Sequence, residues 1–140
     1  MATIDHPVTT PLSFKTVTVN ASVAGSDDTD DLSPQIGELT FTPTAASGSW
    51  TGVGGNVVSD LGIATWAVTL GMIQDISVTG MLRWLLTNEG KKCTFTAVLV
   101  IGVTVTFTAT LSPATIGGAV TPGYLTSTVQ LAMDGKPAFS

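Results

Sequence analysis

Charge is scarce in this sequence. Charged residues make up 11% of its 140 positions, against about 25% in an ordinary globular chain. The little charge present leans acidic: five Lys and Arg against ten Asp and Glu leave a formal net charge of −5. A surface that reads nucleic-acid bases first neutralises phosphates with cations, so this balance argues against such a reader. Cysteine is limited to Cys93, which excludes a disulfide framework. Histidine is limited to His6, which leaves few ways to build a metal site or a catalytic triad. The most apolar run, Ala97 to Val103, falls far short of the ~18 residues that a spanning helix needs. Met1 to Leu12 holds Asp5, His6, Pro7 and Pro11 and no apolar stretch. No secretory signal is therefore expected, and synthesis is expected in a cytoplasm.

What is present is apolar residues, 44% of the chain, interleaved with Thr, Ser and Gly. The length suits one domain, expected to span 1–140. Polarity supplied by hydroxyls is less costly to bury against another copy than polarity supplied by ions. The composition thus leans toward self-association.

Alternation of period two dominates, and it sends successive side chains to opposite faces of a sheet. Val17, Val19, Ala21 and Val23 alternate with Thr18, Asn20 and Ser22. Leu39 and Phe41 alternate with Thr40 and Thr42, and Ala64, Trp66, Val68 and Leu70 with Thr65, Ala67 and Thr69. Cys93, Phe95, Ala97 and Leu99 form another such row. Val103, Val105, Phe107, Ala109 and Leu111 face away from Thr104, Thr106, Thr108 and Thr110. The last row sets Leu125, Val129, Leu131 and Met133 against Thr126, Thr128 and Gln130. Thr rows suit strands because β-branching fits the pleat. The Ile101–Gly102 step predicts a hairpin turn between the two strongest strands.

One segment breaks the period. In Ser77 to Glu89, Val78, Met81, Leu82, Leu85 and Leu86 fall at helical spacing. The spacing predicts about three turns packed on the sheet, with Asp75 or Ser77 as N-cap and Gly90 ending the helix. The predicted architecture is mainly β, with antiparallel sheets in a sandwich or barrel-like arrangement and one α-helix packed against them. An N-terminal arm is expected over 1–12, and long loops over 25–34 and 47–59.

The residues that carry chemistry do not assemble into a site. His6 sits in the expected arm. Cys93 follows Lys91 and Lys92, cations that lower a thiol's pKa, but its place in a strand pattern reads as core. Asp27, Asp28, Asp30 and Asp31 crowd one loop. From Asp27, oxygen-bearing side chains recur at Thr29, Asp31, Ser33 and Gln35, with Glu38 twelfth. An EF-hand loop needs Gly at the sixth place, which is Leu32 here, and needs helices on its flanks. The acidic run reads as a hairpin tip whose like charges discourage edge pairing. Gly52–Val53–Gly54–Gly55–Asn56 lacks the spacing, lysine and following helix of a phosphate loop, and reads as a flexible turn. An enzyme is not expected, and neither is a cofactor. Trp50, Trp66 and Trp84 leave a sugar-stacking β-sandwich as an alternative from another class.

Two stretches carry a resemblance. Met81–Leu82–Arg83–Trp84–Leu85–Leu86 running through Asn88–Glu89–Gly90 into the strand at Cys93 resembles the helix–Asn–x–Gly–strand passage of tail tube proteins of long-tailed, non-contractile bacteriophages. Pro113–Ala114–Thr115–Ile116–Gly117–Gly118, then Thr126–Ser127–Thr128–Val129, then Asp134–Gly135–Lys136–Pro137 is similar to the closing pattern of many such proteins. The resemblance covers residues 60–140. It implies a virion structural protein of the tail, made in the bacterial host, whose copies form hexameric rings stacked into a hollow tube for DNA. The implied partners are the chain itself, tape measure protein, tail terminator and tip proteins, and DNA in transit, with no membrane. A negative wall suits a DNA channel because a basic one would hold the phosphates. Asp27, Asp28, Asp30, Asp31 and Trp50 are the candidate lumen or inter-subunit residues. Related folds also serve as decoration, connector and terminator components, which stand as the alternative within the same class.

Overall fold

Apolar side chains alternating with Thr fold here into ten strands, among the residues that the computed structural model describes: 2–9, 11–45, 47–120 and 122–140. Met1 and Thr10 of the expected arm, and Thr121 of the 113–123 connection, lie outside them. Three antiparallel sheets result. The largest has the order β10-β8-β7-β1-β2, where β1 is Thr18–Val23, β2 Asp30–Asp31, β7 Lys92–Val100, β8 Val103–Thr110 and β10 Ala138–Phe139. The second has the order β3-β6-β9, with β3 Ile36–Thr44, β6 Thr65–Ile73 and β9 Thr126–Ala132. The third is a hairpin of β4, Ser47–Thr51, and β5, Val57–Leu61.

The alternation decides which face is buried. Val19, Ala21 and Val23 of β1 are buried with Cys93, Phe95, Ala97 and Leu99 of β7 and with Val105, Phe107 and Ala109 of β8. From the three-stranded sheet come Leu39, Val68, Leu70, Met72, Val129 and Leu131, and all belong to one cluster. Phe107 joins the two sheets: it stacks on Phe95 with ring centroids 4.9 Å apart and meets Phe41 of β3 edge-on at 4.9 Å. Such aromatic contacts stabilise by about 0.5–1.5 kcal/mol beyond the area they bury. β7 and β8 join through the expected turn at Gly102, whose φ of 85° suits a residue without Cβ.

The helix is shorter than its stripe predicts. α1 spans Met81–Thr87, about two turns. Neither Asp75 nor Ser77 caps it. Asp75 instead accepts a hydrogen bond from the Ser77 backbone N at 3.0 Å, a local turn that competes with helix formation. The chain is then extended at Gly80, the N-cap, which has no side chain to offer. Any Cβ at Gly80 would overlap the Asp75 carbonyl. Val78 therefore lies ahead of the helix and is exposed, and Leu86 is exposed on its outer side. Met81, Leu82 and Leu85 are buried in the core. The cap comes from far away: Gln35 Oε1 accepts from the Met81 backbone N at 2.8 Å. Gly90, at φ 81°, turns the chain into β7, its N–H donating to the Leu111 carbonyl at 2.9 Å.

Two expected loops contain strands. The 47–59 stretch is mostly the β4–β5 hairpin, in which Trp50 faces Val58 and Thr51 faces Val57. Its Gly-rich centre forms only the turn, closed by Gly52 N–H to the Asn56 carbonyl at 2.8 Å. The 25–34 stretch contains β2, which pairs Asp31 with Asn20 and Asp30 with Ala21.

Candidate assembly interface

The sequence-predicted chemistry is dispersed. His6 is exposed in a stretch without regular structure. Cys93 is buried at the start of β7, and burial pushes its thiol up to about 12. The adjacent lysines do not offset that desolvation, because Lys91 and Lys92 both point to solvent. Among the described residues, no three His, Cys, Asp or Glu side chains converge as a metal site would require.

The four loop aspartates divide by role. Asp27 and Asp28 are exposed. Asp31 accepts from the Ser33 hydroxyl at 2.7 Å and from the Ser33 backbone N at 3.1 Å. These two bonds, the hydroxyl's first, hold its carboxyl below the ordinary 3.8. Asp30 accepts from Trp84 Nε1 at 3.1 Å. A hollow of about 440 Å³ opens beside that pair, between β2 and α1. Its polar side chains are largely engaged within the chain, Asn88 Nδ2 for example donating to the Trp84 carbonyl at 2.9 Å. Trp66 is half-buried in β6, whereas Trp50 is exposed on the β4–β5 hairpin.

Two glutamines hold the ends of elements together: Gln35, noted in the sequence only for its place in the acidic spacing, and Gln74, not singled out there. Gln35 caps α1 and also donates from Nε2 to Asp75 Oδ2 at 3.3 Å. Gln74 accepts from the Gly117 backbone N at 2.8 Å and donates to the Gly117 and Thr126 carbonyls, each at 3.0 Å. The Ile116–Gly117–Gly118 turn is thereby pinned against the start of β9. A polar residue directly after a strand pattern is a weak signal, and nothing local names its partner.

The outer face of the three-stranded sheet is a regular surface, as is the Thr-rich outer face of β1, β7 and β8. Its cross-strand rows read Glu38–Gly71–Thr128, Thr40–Thr69–Gln130 and Thr42–Ala67–Ala132. Glu38 is the single charge in those rows. Among the described residues, β3 and β9 stand at the two sides of this sheet and form a ladder only with β6, and the end of β9 turns onto β8 at the Ala109–Met133 bridge. Unpaired backbone N–H and C=O groups along a strand edge are a template for another strand. β3 carries Glu38 near one end and Pro43 near the other, and β9 carries neither a charge nor a proline, so β9 is the less protected of the two edges. No helix among the described residues is long and apolar enough to cross a membrane.

The sequence matches no protein-family model and no curated protein. Solved structures do share the fold. One is a chain of the anti-feeding prophage (AFP) baseplate, from a 6-fold symmetrised cryo-EM structure. It aligns at a TM-score of 0.58 and 14% identity over 95% of this chain and 97% of that one. Another is a chain of the sheath/tube terminator of an extracellular contractile injection system, PVC, in its extended state. It aligns at 0.56 and 15% identity over 96% of this chain and 99% of that one. At this identity, what the chains share is the fold, which in this chain is mainly β with one short helix.

Proposed function

We propose that this chain is a structural subunit of a phage-tail-like particle, built to join edge to edge with copies of itself into a ring. The observation that carries the reading is the pair of open edges, β3 and β9, on one sheet whose outer face is nearly free of charge. Both edges run antiparallel to β6, so they run parallel to each other. A cyclic arrangement then sets β9 of one copy beside β3 of the next in parallel pairing. Closure removes every edge from the combined sheet. The contact is head-to-tail, which closes as a ring when the rotation permits.

The likeness in fold to chains of an injection-system baseplate and a tube terminator supports the tail setting. The closing motifs, Pro113–Gly118 and Asp134–Pro137, support the finer reading: a tail tube subunit of a non-contractile phage, six to a ring, stacked into a conduit for DNA. Its neighbours are then other rings, tape measure, and terminator or tip proteins. If the Thr, Gln and Glu38 face lines the bore, it offers phosphates no cation to bind. The second reading is a terminator that forms one ring, favoured by the likeness to the PVC chain.

Electron microscopy and sedimentation of the purified chain test this. Stacked rings support the tube subunit, and single rings that never stack support the terminator. A protein that stays monomeric at high concentration in every salt defeats both. Thr128→Pro supplies a directed check, since proline cannot donate to a new ladder on β9. It is expected to abolish rings when the monomer's circular dichroism is unchanged.

A further inference from the structure

Among the described residues, the β4–β5 hairpin has no second layer. Its strands contact each other and make no comparable contact with any other element. A lone two-stranded hairpin is marginal in water, yet this one displays Trp50, Val57 and Val58, with Trp50 64% exposed. Cross-strand register places Gly48, Trp50, Val58 and Asp60 on one face, since Trp50 faces Val58 and Gly48 faces Asp60. That face has two large apolar side chains beside one negative charge.

Elsewhere the same chain shows an apolar groove of about 560 Å³ lined by Leu12, Phe14, Leu39, Phe41, Val103 and Phe139. Phe139 is 64% exposed on the short edge strand β10. Lys15, one of five cations in the chain, lines the two smaller hollows that adjoin it at Phe14, Leu39 and Leu99, and shares one of them with Glu38. The groove runs along β3, one of the two open edges.

We propose that the Trp50–Val58 face of the hairpin seats in this groove on a second copy of the chain, with Asp60 directed to Lys15. A ridge and a groove at different places on one molecule can join head to tail, the heterologous contact that a ring needs. The inference rests on the self-assembly reading and adds to it the residues that anchor one copy to the next. Aromatic anchors of this kind carry most of an interface's energy.

The test uses two single variants and one double variant, all changed at exposed positions. Trp50→Ala removes the ridge and leaves the groove. Phe139→Asp spoils the groove and leaves the ridge. Each alone is expected to raise the concentration for half-assembly about tenfold or more. Mixed together, they are expected to form a 1:1 pair by sedimentation, because the intact hairpin of one fits the intact groove of the other. A Val58→Cys, Phe139→Cys double variant is expected to oxidise into chains linked between copies. If Trp50→Ala assembles like the unaltered chain, or the mixture gives no pair, the docking is wrong while the ring stands. Cross-links confined within single chains also overturn it. If the unaltered chain never assembles, the ring reading itself fails.

Discussion

Trp84 and Asp30 stand 54 residues apart in the chain, and the indole Nε1 donates to the carboxylate Oδ2 at 3.1 Å. The bond ties the side of α1 to the edge strand β2. It makes one of four crowded aspartates a structural acceptor and leaves Asp27 and Asp28 in solvent. A double-mutant cycle with Trp84→Phe and Asp30→Ala is expected to give a coupling of about 1 kcal/mol in urea unfolding, the usual size for a half-exposed hydrogen bond. Additive single effects would mean that the contact contributes no coupling.

Gln35 performs the capping that the residues before the helix do not. Gln35→Ala removes the acceptor of the Met81 N–H and the donor to Asp75. The expected loss is about 1–2 kcal/mol of unfolding free energy. Asp75→Ala leaves the Met81 bond in place and is expected to cost less. Equal losses from the two would show that the cap is not the dominant contact.

Acid is expected to weaken the fold through two carboxyls. Hydrogen bonds from Ser33 hold Asp31 below 3.8, and those from Ser77, the backbone bond first, do the same for Asp75. A depressed folded pKa stabilises above the unfolded value and loses that contribution as pH falls through the folded one. Unfolding midpoints measured from pH 6 down to pH 2 should therefore begin to drop near pH 4. Ser33→Ala should return the Asp31 titration, followed by carbon-detected NMR, toward 3.8. An unmoved titration would assign the lowering to another cause.

The Cys93 thiol, pushed up to about 12 by burial, is expected to resist a thiol reagent at pH 8 in the folded state and to react fully in denaturant. The reagent reacts with thiolate, so the native rate should track unfolding. Prompt labelling of the folded chain would mean that the start of β7 opens readily.

The strand faces were legible in the sequence for a local reason. The pleat alternates side chains whatever the partner, so Val105, Phe107 and Ala109 had to share a side. The hairpin at Gly102 was legible because two strong strands leave no longer link. The length of α1 was not. The stripe of Val78, Met81, Leu82, Leu85 and Leu86 obeys helical spacing, but Asp75 and Gly80 spoil the first turn through contacts that spacing does not record. The β4–β5 hairpin was hidden by its glycines and serines, which have poor strand propensity and still pair when the register closes over Gly52 and Asn56.

Little charge, one thiol and Thr-backed strands could all be read along the chain, because composition and period-two alternation are properties of sequence neighbours. Long-range packing sets the rest: Gln35 caps α1, Gln74 holds Gly117, the Trp50 hairpin has no second layer among the described residues, and β3 and β9 flank β6 in one sheet. Those outcomes depend on which strands pair across tens of residues, and pairing is settled by register and core packing across the whole fold.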